Sequence, residues 1–184
     1  MKIVIVGCGR VGASAAELYD QAGHEVLVID TRTTAFDRLA SSFGGRAIRG
    51  DGTDEDVLRR AGAEDADVFL ALTEGDNRNV MAAQLAAEAL GARKVIAKIN
   101  DPLRAEAYAD LGIASLCRTG LMLDAVNRYI GLPPSGLAGM LEPTGVHPGG
   151  RHHEEDGQDP AASSTAASAT GGGTAAPTVA GREV

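Results

Sequence analysis

The chain has 184 residues, a formal net charge of −8, no Trp, and only three Phe and three Tyr. That balance excludes a general nucleic-acid binder, which needs a cationic face for phosphates and aromatic side chains for bases. No run of about twenty apolar residues occurs and the start lacks a signal-peptide core, so the sequence predicts a cytoplasmic protein without a membrane span.

Lys2–Val6 is a β-branched run and predicts the first strand. It ends in Gly7-Cys8-Gly9-Arg10-Val11-Gly12, and a helical pattern follows with Val11, Ala15, Leu18, Tyr19 and Ala22 on its apolar face. Glu25–Asp30 predicts the second strand. Thr34 then reads as the N-cap of a second helix that buries Phe36, Leu39, Ala40 and Phe43. Arg46–Arg49 is a third strand, and Thr53 reads as the cap of a short third helix with Val57, Leu58 and Ala61 inward. Val68–Leu72 is apolar on both faces, as a central parallel strand requires. Asp76 reads as the cap of an alanine-rich fourth helix reaching Leu90. Lys94–Ile99 is a fifth strand, and Asp101-Pro102 starts a helix that runs to about Leu111. Ile113–Cys117 is a sixth strand, and Thr119 to Ile130 is a last helix stopped by Pro133-Pro134.

Strands alternating with helices predict an α/β fold: a doubly wound, parallel six-stranded sheet of Rossmann type, order 3-2-1-4-5-6. The nucleotide-binding domain spans 1–118, and 119–142 form a terminal helix with a short extension. Residues 143–184 are rich in Ala, Gly, Ser, Thr and Pro without an apolar period, and predict a disordered tail. His147, His152 and His153 lie there, with no rigid frame to make them a metal site. Cys8 and Cys117 are too few for a disulfide framework or a zinc site. Cys8 reads as a small filler, with a reactive thiol as the alternative.

The glycine pattern sits between a strand and a helix, with an acid at the end of the next strand, which is the dinucleotide-binding fingerprint. Gly7 allows the tight turn, Gly9 lets a pyrophosphate approach the backbone, and Gly12 lets helix and strand pack closely. The helix N-terminus faces the phosphates, and Asp30 is placed to accept the ribose hydroxyls. In this topology the ligand lies across the C-terminal ends of the strands, which selects the remaining candidates. Arg10 stands in the loop, facing either a phosphate or solvent. Asp30, Thr31 and Arg32 follow the second strand; Asp30 disfavours a 2′-phosphate, and Arg32 either offsets that or lies over the adenine. Asp51 and Gly52 follow the third strand, as an adenine contact or as a plain turn. Thr73 and Glu74 follow the fourth and border the second half of a dinucleotide or an extra phosphate. Lys98, near the end of a buried strand, needs an anionic partner, either a ligand phosphate or a carboxylate.

Together IVIVGCGRVG, HEVLVID, GDGTDEDVLRRAG, ALTEGDNRN and KVIAKINDP resemble the RCK or KTN (TrkA N-terminal) family of nucleotide-binding regulatory domains. Those domains serve potassium channels and transporters, and the resemblance is strongest to the Trk-type uptake subunits. It covers residue 1 to about residue 130. It implies binding of NAD(H) or ATP/ADP without redox turnover. It places the phosphate loop at Gly7, Cys8, Gly9, Arg10, Val11 and Gly12, the ribose on Asp30, the adenine side at Asp51, and further contacts at Thr73, Glu74 and Lys98. It implies a regulatory, non-enzymatic subunit at the inner face of the plasma membrane, working with an integral-membrane potassium transporter. It also implies a homo-oligomer, or pairing with a second RCK-type chain, and the last helix resembles the family's dimer-forming crossover helix. Two departures stand out: Lys98 replaces a common arginine, and the low-complexity tail stands where the family carries a small β-rich domain. The alternative is a small NAD-dependent oxidoreductase, which would need an acid or base beside the nicotinamide. The one histidine before the tail, His24, falls at the wrong end of the sheet.

Overall fold

The computed structural model describes residues 1–110, 113–137 and 139–141. Seven strands form one sheet in the order β3-β2-β1-β4-β5-β6-β7. They are β1 (Lys2–Val6), β2 (Glu25–Asp30), β3 (Arg46–Arg49), β4 (Val68–Ala71), β5 (Lys94–Ile99), β6 (Ala114–Cys117) and β7 (Met140–Leu141). The first six are parallel, as expected, and β7 is an antiparallel addition. The sequence pattern predicts no strand there. Two residues carry too little pattern to announce one, and the pairing is made by the edge of β6, where the Cys117 amide donates to the Gly139 carbonyl at 2.8 Å. The expected disordered tail and the end of the helix near Leu111 lie outside the described residues.

Side chains alternate across each strand, and both faces are covered, which explains the continuous apolar runs. On one face Val4, Val6, Leu27, Ile29, Phe69 and Ala71 pack under α2 (Glu55–Ala61) and α3 (Asp76–Glu88). On the other Ile3, Ile5, Val26, Val28, Leu70 and Leu72 pack under α1 (Arg10–Gln21) and a 3-10 segment at Thr33–Arg38. Ala97, Ile99 and Cys117 meet Val80 and Ala83 of α3 and Ala105 of α4 (Pro102–Asp110). The last helix, α5 (Arg118–Ile130), follows β6.

Four local expectations are corrected. First, α1 buries Gly12, Ala13 and Ala16, whereas Val11 and Leu18 are 55% and 62% exposed. Gly12 fixes the rotation of the helix: a Cβ there would overlap the Gly7 carbonyl, so the glycine edge must face the sheet. Tyr19 and Ala15 pack only at the margin of the core. Second, the helix expected after Thr34 is the 3-10 segment, with Ala35 buried and Phe36, Leu39 and Phe43 only half-buried. Glu17 and Asp20 of α1 instead accept from the amides of Ala40 and Gly44, pinning the two ends of a turn closed by the Phe43 amide on the Ala40 carbonyl. Third, the cap of α2 is Asp54, which accepts from the Val57 amide, and Thr53 turns back to Asp51. Fourth, Gly75 precedes α3 without a side-chain cap. Asp76 is spent on β5–α4, accepting from the amides of Asn100 and Asp101 and from the Asn100 side chain.

Candidate functional site

A slot of about 340 Å³ opens at the C-terminal ends of β1 to β4, on the side where the strand order reverses. Gly7, Gly9 and Val6 come from the end of β1, and Ile29, Asp30, Thr31 and Arg32 from the end of β2. Gly50, Asp51 and Gly52 follow β3, and Leu72, Thr73 and Glu74 follow β4, with Arg78 from the first turn of α3. The volume is in the range of small-molecule sites.

The three glycines of the loop have separable tasks. Gly7 has φ +104°, and a Cβ there would lie 2.9 Å from the backbone of Leu72 and Thr73. Gly12 closes the contact of α1 with the loop, as described above. Gly9 differs, because a Cβ at that position would meet nothing within 4 Å. No internal packing therefore requires a glycine there; its bareness leaves room on the slot side. Gly9 also precedes α1 without a side-chain cap, so the first amides of that helix face the slot side unshielded.

Asp30 braces the loop. Its Oδ2 accepts from the Cys8 amide at 2.8 Å and its Oδ1 from the Arg32 amide at 2.9 Å. Each oxygen keeps capacity for a further donor. Cys8 is fully buried among Ile3, Ile5 and Ala13, and burial, with the Asp30 charge adding to it, pushes its thiol up. That is the filler environment, opposite to the electropositive one a reactive thiol needs. Asp51 is held below the usual carboxylate range by the Thr53 backbone amide and then by the Thr53 hydroxyl, with Arg78 contributing. Its Oδ1 accepts both Thr53 bonds, at 2.9 and 2.8 Å.

Behind the slot, Asn79 is completely buried and holds the loop after β4 in place. Its Oδ1 accepts from the Thr73 amide and hydroxyl, and its Nδ2 donates to the carbonyls of Thr73 and Lys98. Lys98 is 8% exposed. Burial pulls its ammonium down and Glu74 opposes this, yet no carboxylate lies within ion-pair distance of it among the described residues. Nearby, Asn100 Oδ1 is a buried acceptor with no donor among the described residues.

Of the expected site residues, Gly7, Gly9, Asp30, Thr31, Arg32, Asp51, Gly52, Thr73 and Glu74 line the slot. Cys8 and Gly12 are turned into the core, Lys98 is buried beyond the slot, and Arg10 and Val11 open onto the outer side of α1 with Ser14 and Leu18. Sequence reasoning missed Arg78 as well as the apolar floor of Val6, Ile29 and Leu72. For Arg78 the signal was present: it stands one turn after Glu74 in a helix whose neighbour Asn79 must point inward.

Residues 3–119 match the model of the TrkA-N domain. The chain belongs to the TrkA-N family. This TrkA-N chain is 48% identical over 146 residues to the Trk system potassium uptake protein TrkA of Streptomyces coelicolor, covering 79% of this chain and 65% of that protein. It is 32% identical over 111 residues to a TrkA homologue of Pyrococcus abyssi, covering 60% of this chain and 49% of the relative. The chain thus spans about half to two-thirds of the length of these relatives. Among solved structures, the TrkA-N chain shares its fold with the GsuK channel bound to NAD, with TM-score 0.57 and 20% identity, covering 71% of this chain and 23% of that one. It also shares it with the AMP-bound Kef C-terminal domain of Shewanella denitrificans, with TM-score 0.56 and 21% identity, covering 72% of this chain and 84% of that one. No described helix is long and apolar enough to cross a membrane.

Proposed function

We propose that this TrkA-N chain binds an adenine nucleotide, NAD(H) or ATP/ADP, as the regulatory part of a potassium uptake system, without turning the nucleotide over. The observation that carries this reading is Gly9. It is bare on the slot side for no internal reason, at the uncapped start of α1, with the Asp30 carboxylate across the slot. A pyrophosphate at the loop, ribose hydroxyls on Asp30 and an adenine amino group toward Asp51 fit those three features. Lys98, buried beyond the slot and near the charges of Glu74 and Asp76, adds a positive field behind the loop after β4. Cys8, Gly12, Arg10 and Val11 then act as the frame of the loop.

The slot's ionisable side chains are Asp30, Arg32, Asp51, Glu74 and Arg78. Each suits binding, and His24 sits beside the chain N-terminus at the other end of the sheet. This favours a sensor over the NAD-dependent oxidoreductase. A sensor works by population shift: a nucleotide that prefers one arrangement of an oligomer about a hundredfold biases it by about 2.7 kcal/mol. The family names of the relatives support a membrane potassium transporter as the partner. The test is calorimetric titration of the full chain with NAD⁺, NADH, ATP and ADP, with mass spectrometry of any co-purifying ligand. Saturable binding with no consumption of NADH is expected. Absence of binding at millimolar nucleotide overturns the reading.

A further inference from the structure

Arg78 is a slot residue that the glycine fingerprint does not account for. It is the third residue of α3, whose first turn sends its side chains three ways. Asp76 goes to the loop after β5, Asn79 goes into the core, and Arg78 lines the slot beside Thr73 and Glu74. Arg78 is exposed, and no hydrogen bond or ion pair engages its guanidinium among the described residues. It shares the slot wall with Gly50, Asp51 and Gly52 after β3, and its charge helps to hold the Asp51 carboxyl down. Arg32 stands on the β2 side, 70% exposed, with its Nε 4.0 Å from Asp30.

The floor between these cations is apolar and cannot be built up. A Cβ at Gly52 would overlap Val6, and one at Gly50 would lie 2.5 Å from Val57. An apolar floor of Val6, Ile29 and Leu72, with an exposed planar cation and a carboxylate acceptor on the same slot, suits a planar ring that carries an amino group. It suits a phosphate poorly, because Asp51 stands beside the cation and would repel it. A guanidinium is weakly hydrated and planar, and covers a π face better than an ammonium does.

We propose that Arg78 is a base-contacting residue, closing over the open face of the purine while Asp51 accepts from its exocyclic amino group. This rests on the nucleotide reading above and deepens it. It makes Arg78 a contact to the base, whereas the loop at Gly7–Gly9 takes the phosphates.

The test compares the full-length wild type with Arg78→Ala and Arg78→Lys, using AMP, ADP and ribose 5-phosphate at two salt concentrations. Arg78 is exposed and unbonded, so both variants fold; circular dichroism checks this. Expected for Arg78→Ala is a loss of roughly tenfold, equal for AMP and ADP, with no change for ribose 5-phosphate and an unchanged salt slope. Arg78→Lys is expected to restore little of it. A loss that grows from AMP to ADP and is rescued by Arg78→Lys makes Arg78 a phosphate contact and overturns the proposal. Wild-type affinity in both variants also overturns it, leaving the nucleotide reading intact. Failure of the wild type to bind AMP and ADP overturns this proposal, and only failure with NAD⁺, NADH and ATP as well overturns the nucleotide reading.

Discussion

The Asp30 carboxylate accepts the Cys8 amide proton at 2.8 Å, so the end of β2 and the glycine loop are held as one piece before any ligand arrives. Asp30→Asn keeps the shape but leaves a single acceptor oxygen for the two amides that now use separate oxygens. Charge-assisted bonds of this kind contribute about 1.5–3 kcal/mol each. The expected outcome is a loss of roughly 1–2 kcal/mol in urea unfolding, with nucleotide affinity lower by about tenfold or more. Unchanged affinity by calorimetry would remove the ribose from Asp30.

Gly9 and Gly12 differ in what a methyl group would meet, and this separates ligand binding from folding. Gly9→Ala adds a Cβ into open space, so stability is expected to fall by less than about 1 kcal/mol while nucleotide binding is blocked. Gly12→Ala drives its Cβ into the Gly7 carbonyl, with an expected destabilisation of about 3 kcal/mol. Thermal melts paired with nucleotide titrations of both variants check the pair; a Gly9→Ala protein that binds normally contradicts the site.

Asn79 satisfies four polar groups from a fully buried position. Asn79→Leu fills similar volume but leaves the Thr73 amide and the Lys98 carbonyl without this partner. The expected cost is about 2–4 kcal/mol, since each buried group left unpaired costs about 1–3 kcal/mol. Denaturant unfolding measures it, and a neutral substitution would mean that water replaces the amide.

Asp51 gives the site an acid-sensitive corner. The Thr53 amide and hydroxyl stabilise its ionised form, so its value in the folded chain lies below that in the unfolded chain. The sign follows: this contribution is fully present above the unfolded value, near 3.9, and is lost as the pH falls through the folded value. Thr53→Ala removes the hydroxyl and keeps the amide. An NMR titration of the Asp51 carboxyl is expected to show a partial upward shift; no shift would show that the hydroxyl bond does not form in solution.

On α5, Met122, Val126, Tyr129 and Ile130 recur at helical spacing and are 62%, 53%, 92% and 56% exposed. Such a stripe is the feature through which the proposed oligomer would form. Val126→Asp is expected to lower the oligomeric state measured by light scattering without lowering the melting temperature of the monomer by more than a few degrees. An unchanged mass would direct attention to the exposed Val11 and Leu18 of α1.

β1, β2 and β4 were legible as apolar runs, and β3, β5 and β6, which are less apolar, from their place in the alternation of strands and helices. The loop and Asp30 were legible because their spacing is set by backbone geometry, which sequence records directly. The rotation of α1 was not. Apolar periodicity favoured Val11 and Leu18, and the carbonyl of Gly7 decided for Gly12, Ala13 and Ala16. The caps at Thr53 and Asp76 were misread for a related reason: each side chain had two partners within reach, and the choice fell to groups outside the helix, Asp51 in one case and Asn100 in the other. Arg78 entered the slot on the same terms. Local spacing thus determined which elements exist and where the fingerprint stands. Which way each helix turns, and hence which side chains face the slot, was decided by competing contacts, from Gly7 against Gly12 to Asp76 against Asn100, that apolar periodicity does not encode.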